Sequence, residues 1–440
     1  SMAAEPQAVE SLEDIRYLVW GRNSKQDIFQ RWLQGFTFSQ DEPNALVQFQ
    51  GGPCGVIAPV EAYIIKFLIR EREEKDWGLV QVGYNQKLLI KALVNILKLV
   101  SSAGPYWYVL HSNDAKIKGI DHEGHMINKS NDSDGESASK KPCLENENFH
   151  SQLRVQKLEN PEDLVNFLES NLSLIQGPTG VLTFLYSVIL TKGIERLKAE
   201  LEDLSEPLID INYGHGNQSL INLMITGEAI SHVWDNDRDV GGLKLKGITQ
   251  RSQIGFLSLL EHLRYCEVGS FLKNPLNPVW MLGSETHLTV LFSPCLSLVN
   301  EDTPADVAKR IFRKYDPDGN KFISATYLQD VMSECNLVAE PEYVDIMKQK
   351  LDSESLGIIL MNDFMEEFYP NKEYKPPETF TVFHYNGLRQ PKVVFDKAHV
   401  VLLECHLSCT LESDPMRTCL QTKWPNIELQ WETGSPPSLN

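Results

Sequence analysis

A surplus of positive charge is the first thing this chain lacks. Its 440 residues hold 41 Lys and Arg against 60 Asp and Glu, a formal net charge of −19. A protein that binds nucleic acid by neutralising phosphates needs the opposite balance, and an anionic membrane surface would repel this one. No nucleic acid and no membrane are therefore expected as partners. Long hydrophobic runs are missing too: the strongest, Val56 to Leu68 and Gly180 to Leu190, are too short or too interrupted to span a bilayer. No secretory leader is expected, and Ser1 ahead of Met2 reads as a protease-cleavage scar outside the fold. Eight cysteines follow no regular spacing, which reads as reduced thiols in the cytoplasm or nucleus. Cys405 and Cys409 flank His406 with no second ligand pair elsewhere, and Cys143, Cys266, Cys295, Cys335 and Cys419 carry no partner signature. No metal and no cofactor are expected.

What is present is one cysteine in an unusual setting. QFQGGPCGVIAPVEAYII, residues 48 to 65, places Cys54 after a Gly-Gly-Pro turn and ahead of an apolar run. Pro53 suits the first position of a helix, where its missing N–H costs nothing. Cys54 then falls in the first turn, where unpaired N–H groups and the helix dipole favour a thiolate and can hold a developing oxyanion. Val56 to Leu68 leave almost no polar face, so the helix should run through the core, with a kink at Pro59. A buried packing cysteine and a nucleophile fit this stretch equally well.

Two short amphipathic helices are expected over residues 11–21 and 25–35, with Leu12, Ile15, Leu18, Ile28, Trp32 and Leu33 inward, and a long apolar one over 85–101. Residues 112–152, rich in Asn, Asp, Ser, Gly, Lys and Glu, read as a flexible insertion that cannot offset its ordering entropy. Helical patterns follow at NPEDLVNFLESNL (160–172), capped by Asn160, at GVLTFLYSVILTKGIERLKAELED, and at SLINLMITGEAISHVWD (219–235). VWMLGSETHLTVLFS (279–293) changes period to two strands flanking Ser284 and Glu285, with His287, Thr289 and Leu291 on one face of the second.

Residues 303–369 form a module of their own. Asp316, Asp318 and Asn320 fall at positions 1, 3 and 5 of an EF-hand-like loop, with Ile323 at position 8. A second copy 36 residues on places Asp352, Glu354, Gly357, Ile359 and Asp363 at positions 1, 3, 6, 8 and 12. Lys321 replaces the turn glycine, Tyr327 the bidentate glutamate, and Leu356 an oxygen ligand, so weak or no calcium binding is expected. Past a linker, TFTVFHYNG, KVVFDK, AHVVLLECHL and NIELQWE read as strands that join the sheet carrying His287.

A cysteine nucleophile needs a base, and eleven histidines compete. His122, His125 and His150 lie in the polar tract, and His232 and His262 on helical patterns. His287 fits best, at the start of a strand after a turn, while His215 in YGHGNQS and His384 in VFHYNG are rivals.

Six separated segments decide more than periodicity can. QFQGGPCGVIAPVEAYI, FLYSVILTKGIE, SEPLIDINYGHGNQSLINLMITGEAISHVWD, GSETHLTVLF, FHYNGL and CLQTKWPNIELQW together resemble the MINDY family of deubiquitinating cysteine proteases, in the branch with an EF-hand-like segment. The resemblance implies Cys54 as nucleophile, His287 as base and Gln48 as an oxyanion donor. It implies polyubiquitin as substrate, with preference for linkage through ubiquitin's lysine forty-eight. Trp234 matches a family segment that reads equally as a ubiquitin contact or as core. No third triad member is apparent. The expected fold is α+β: a papain-like cysteine protease core, with a buried cysteine helix against a sheet carrying histidine. Residues 1–302 and 370–440 would build it, around an EF-hand-like module at 303–369. A ubiquitin-binding scaffold and a hydrolase of a ubiquitin-like modifier are the alternatives, and oligomeric state has no signal.

Overall fold

A computed structural model describes residues 4–112, 144–300, 303–370, 377–388, 391–403 and 414–440. They fall into two compact units: one built from the stretches 1–235, 246–296 and 378–440, the other from 236–245 and 297–377.

In the first unit, the apolar run after Cys54 forms helix α1 (Cys54–Glu71), in which 14 of 18 residues are buried. Pro53 is the cap and Cys54 opens the helix, one position later than expected. The helix continues through Pro59, which leaves the Gly55 carbonyl without its usual donor. Against α1 lies α2 (Tyr84–Val100). The first N-terminal helix, Ala4–Trp20, begins seven residues ahead of the expected 11–21, and the second, Gln26–Arg31, stops four short of 35; Ile15, Leu18 and Ile28, with Trp32 just past the second helix, join the core.

The sheet has six strands: β1 (Gly255–Ser258), β2 (Val279–Gly283), β3 (Leu288–Phe292), β4 (Thr379–Tyr385), β5 (Phe395–Leu402) and β6 (Ile427–Trp431). They neighbour one another in chain order; β1 and β2 are parallel and the other pairs antiparallel. β5 is a single strand where two runs were expected, and β1 was not anticipated. Helix α1 packs on β2 and β3. On that face Met281, Leu288, Val290, Phe292, Phe383 and Tyr385 join the core. Trp280, Leu282, Leu291, Val382 and Val400 fill the opposite face. An unanticipated helix, Pro415–Gln421, packs against β1 and β6. β1, β2 and β3 are buried on both faces and need no polar alternation, each large apolar side chain contributing roughly 1.5–3 kcal/mol, whereas β5 alternates, with His399 and Val401 exposed.

Three expectations are corrected. The long pattern from Gly180 breaks at Gly193, φ +92°, into α3 (Gly180–Lys192) and α4 (Ile194–Glu200). The helix expected over 219–235 is α5 (Gln218–Thr226) only. It stops at Gly227, φ +80°, where a Cβ would sit 2.5 Å from the Leu99 carbonyl oxygen. His232 and Trp234 therefore lie outside any helix. The polar insertion is shorter than 112–152: strand Tyr106–His111 pairs with Leu153–Leu158, and between them Phe149 is fully buried, stacked by His111. Ser187 and Thr191 of α3 accept N–H groups of Val109 and Trp107, which explains two hydroxyls on an apolar helix. His122, His125, Cys143, Cys405, His406 and Cys409 lie outside the described residues.

The second unit contains two helix–loop–helix segments whose short strands, Phe322–Ser324 and Ile358–Leu360, pair antiparallel with Ile323 opposite Ile359. The two loops repeat one backbone. Gly319 and Ser355 have positive φ, as do Lys321 and Gly357 two residues on. Asp316 accepts the N–H groups of Asn320 and Lys321, and Asp352 those of Leu356 and Gly357, so both oxygens of each carboxylate are engaged. Phe312, Ile323, Met332, Ile359 and Phe364 form this unit's own core.

Candidate active site

Strand Leu46–Val47 and the turn Gly51–Pro53 deliver Cys54 to the start of α1, facing the first residues of β3. The thiol is 3% exposed. It donates to the Gly52 carbonyl at 3.7 Å and is approached by the N–H of Leu288 and the side chain of Gln48. Burial pushes the thiol up to about 11, and the N–H groups of Leu288, Gly55 and Cys54 itself only partly offset this. The thiolate expected at a helix N-terminus is therefore corrected to a neutral thiol at rest, because desolvation outweighs the dipole.

His287 immediately precedes β3, and its backbone is pinned by Ser284, whose hydroxyl accepts the His287 N–H at 3.1 Å. Its Nε2 lies 2.9 Å from Asn386 Oδ1. The amide orientation is fixed by its other partners: the Leu388 N–H donates to the same oxygen, and Asn386 Nδ2 donates to the main-chain oxygens of Ser438 and Asn440. Nε2 therefore carries the proton and Nδ1 the lone pair. Burial lowers the imidazole's proton affinity, the Asn386 bond opposes that, and nearby His215 adds to the lowering.

Gln48 is 1% exposed and joins the two halves of the site. Its N–H donates to the Gly387 carbonyl at 2.8 Å and its Nε2 donates to the Gln50 carbonyl. A Cβ at Gly387 would lie 2.5 Å from the Tyr385 hydroxyl, so a side chain here would force one of the two to shift. Tyr385 donates to the Leu46 carbonyl, and the Leu46 N–H donates to Glu61 on α1. Glu61 is fully buried, and desolvation pushes its carboxyl well above the usual range. One hydrogen-bonded path thus runs from the cysteine helix to the strand end that carries Asn386.

The rival histidines separate on position. His384 is fully buried, with Nε2 2.8 Å from Thr289 Oγ1, on the face of β4 opposite Tyr385. His215 sits in the loop beside the cysteine turn, where a Cβ on Gly52 would lie 2.9 Å from the Gly214 carbonyl oxygen and one on Gly55 3.5 Å from Gly216 Cα. Its ring stacks on Tyr213. His150 bonds Tyr186 and Asn146, far from the polar tract's expected freedom. Trp234 stacks on His232 with ring centroids 3.9 Å apart, and its carbonyl accepts the Ile248 N–H.

Asn386 is the residue that sequence reasoning missed. It stands in the quoted segment FHYNGL, one residue past β4, and the Asn-Gly pair at a strand end was the available signal. Nothing local connects it to His287, 99 residues earlier. Among the described residues no group of three or more His, Cys, Asp or Glu is placed to hold a metal ion, and no helix is long and apolar enough to cross a membrane.

A thiol at a helix start, an imidazole with a fixed tautomer and an amide at the thiol are the groups that a cysteine-dependent hydrolase uses. Residues 16–310 match the family model described as deubiquitinating enzyme MINDY-3/4, conserved domain. The chain belongs to the MINDY-3/4 family of deubiquitinating enzymes. It is 44% identical over 469 residues to the ubiquitin carboxyl-terminal hydrolase MINDY-3 homolog of Drosophila melanogaster, covering 98% of this chain and 83% of that protein. It is also 44% identical over 448 residues to ubiquitin carboxyl-terminal hydrolase MINDY-3 of Homo sapiens, covering 98% and 100%. The probable ubiquitin carboxyl-terminal hydrolase MINDY-4 of Homo sapiens is 31% identical over 330 residues, covering 72% of this chain and 40% of that protein. No solved structure matches the chain.

Proposed function

We propose that the chain hydrolyses isopeptide bonds in polyubiquitin, with preference for chains linked through ubiquitin's lysine forty-eight, in the cytoplasm or nucleus. Cys54 is the nucleophile and His287 the base. The Cys54 proton passes to His287 Nδ1 as sulfur attacks the carbonyl carbon of ubiquitin's C-terminal glycine. Gln48 Nε2 and the Cys54 N–H stabilise the oxyanion. The C–N bond then breaks, and His287 returns its proton to the departing lysine amine. Water attacks the thioester, with His287 again taking a proton, and the thiol is restored. Asn386 holds Nε2–H so that Nδ1 faces the reacting atoms. Trp234 is a candidate ubiquitin contact.

The observation that carries this reading is the convergence on one thiol of the Gln48 side chain and the strand start next to His287, with Asn386 fixing the tautomer. The α1 helix against the β2–β3 hairpin supports a papain-like core, and the paired loops at Ile323 and Ile359 support an EF-hand-like insert that does without calcium. An electrophilic ubiquitin C-terminal probe tests the function directly. Wild type is expected to label and Cys54→Ala to stay unlabelled, with cleavage of a linkage panel fastest for lysine-forty-eight chains. Labelling only by probes of ubiquitin-like modifiers would transfer the substrate. No labelling, with retained ubiquitin binding, would leave a scaffold.

A further inference from the structure

The catalytic reading leaves unexplained why the far C-terminal residues are seated on the His287 turn. Leu439 is 3% exposed, while Pro436, Ser438 and Asn440 around it are exposed. Asn440 Oδ1 accepts the Ser284 hydroxyl at 2.8 Å and the Thr286 hydroxyl at 3.3 Å, on the turn that leads into His287. Both acceptors of Asn386 Nδ2, at 3.2 Å each, are main-chain oxygens of the same segment, Ser438 and Asn440. Ser438 stiffens it locally: its hydroxyl donates to the Asn440 main-chain oxygen and accepts the Asn440 N–H, both at 3.0 Å.

We propose that residues 436–440 are a positioning strap that holds His287 and Asn386 in register. The proposal rests on the assignment of His287 as base. One five-residue segment grips both members of the pair, the histidine through its turn and the asparagine through its amide. Asn386 has a single side-chain torsion pair to fix and two chemically distinct ends. With Nδ2 anchored, Oδ1 must face His287; with Nδ2 released, the Leu388 N–H is left as the only other hold on the amide, and the acceptor of Nε2–H loosens. The positioning residues are Ser438 and Asn440, since neither touches the reacting atoms.

The attachment is discrete. A cavity of roughly 450 Å³ lies between the segment and a wall formed by Leu259, Ser284, Thr286 and Met416. The strap is held by one buried side chain and a few hydrogen bonds, with no strand pairing, so it can open without unfolding the sheet.

Removal of residues 436–440, and separately Asn440→Ala, tests this in the full chain. Both variants are expected to keep the wild-type melting transition within a few degrees and KM within about twofold, while kcat falls about tenfold. Asn440→Asp, which keeps the acceptor for Ser284 and Thr286, is expected to restore most of the rate. In an Asn386→Ala background the deletion should cost clearly less than in the wild type, because the grip on the amide is already gone and only the hold on the Ser284–Thr286 turn is left to lose. Wild-type kcat in the deletion, or a full additional loss in the Asn386→Ala background, would overturn the strap. A second readout is independent of turnover: in Cys54→Ala protein the His287 Nε2 proton should exchange slowly by NMR and become fast on deletion. An unchanged proton there also overturns the proposal. Turnover that survives Cys54→Ala or His287→Ala would instead sink the catalytic reading, and leave the proton measurement to judge the strap.

Discussion

Asn386 Oδ1 accepts the Nε2 proton of His287 at 2.9 Å, and the same oxygen accepts the Leu388 N–H at 3.1 Å. The asparagine is neutral, so it orients the imidazole without adding the charge that an aspartate would. His287 therefore depends on Asn386 for its tautomer and on burial for its proton affinity.

Asn386→Ala is expected to lower kcat by about 10–100-fold with KM changed less than about threefold, since the bond acts on the base and not on bound substrate. Steady-state kinetics on a fluorogenic ubiquitin substrate check it. An equal change in KM alone would place Asn386 in substrate binding.

Activity should persist into acid. Burial lowers the His287 imidazole below its ordinary 6.5, so the neutral base survives as pH falls past that value. The acid limb of kcat/KM is expected at a midpoint below 6.5. With the thiol near 11 at rest, no second rise should appear between pH 7 and 9 from thiolate formation in the free enzyme. A pH–rate profile and iodoacetamide inactivation across the same range read the two groups separately.

Stability should fall in acid for a related reason. Burial lowers His111 and His150 to about 4 and His384 to about 3. Between 6.5 and those values the unfolded chain binds more protons, so stability present above 6.5 is lost as pH falls. Glu42 works in the opposite sense: burial raises it to about 7, so its cost grows as pH rises from the usual carboxylate range to 7. Glu42→Gln should raise the melting temperature at pH 8 and leave it nearly unchanged at pH 4, by calorimetry at both.

Gly387→Ala should cost about 1–3 kcal/mol of stability and most of the activity together, because the added carbon meets the Tyr385 hydroxyl, whose bond to the Leu46 carbonyl ties this strand end to the segment carrying Gln48. Chemical denaturation and probe labelling of the same preparation check this; a stable, fully active variant would show that the segment can shift without harm.

Lys321→Gly should stabilise the second unit by about 1 kcal/mol, since lysine stands there at φ +63°, where its structural counterpart is Gly357. Calorimetric titration of wild type with calcium should show no micromolar site: Asp316 and Asp352 spend both oxygens on loop N–H groups, and Tyr327 replaces the last ligand. A micromolar site with a large thermal shift would reverse that expectation.

Local chemistry, which the sequence carries on its own, decided a good deal. The apolar run after Gly-Gly-Pro-Cys makes α1, Asn160 caps its helix through the Asp163 N–H, and Ser284 and Glu285 turn the β2–β3 hairpin. The repeat of 36 residues places Ile323 opposite Ile359. Each rests on contacts between residues close in the chain, or on a spacing that repeats. Where the reading failed locally, a glycine was passed over: Gly193 and Gly227 take backbone angles that end helices whose apolar pattern runs on. Only tertiary structure could decide the rest. Strand Tyr106–His111 finds its partner more than 40 residues on, and Asn386 finds a histidine 99 residues earlier in the chain. The charge state of Cys54 is a tertiary property too, because it is a balance of N–H donors against the water excluded by everything packed around α1. Hydrogen bonds and desolvation between segments far apart in sequence leave no periodic trace, so residue type and spacing could nominate Cys54 and His287, and the family resemblance Gln48, but not the asparagine that orients the histidine.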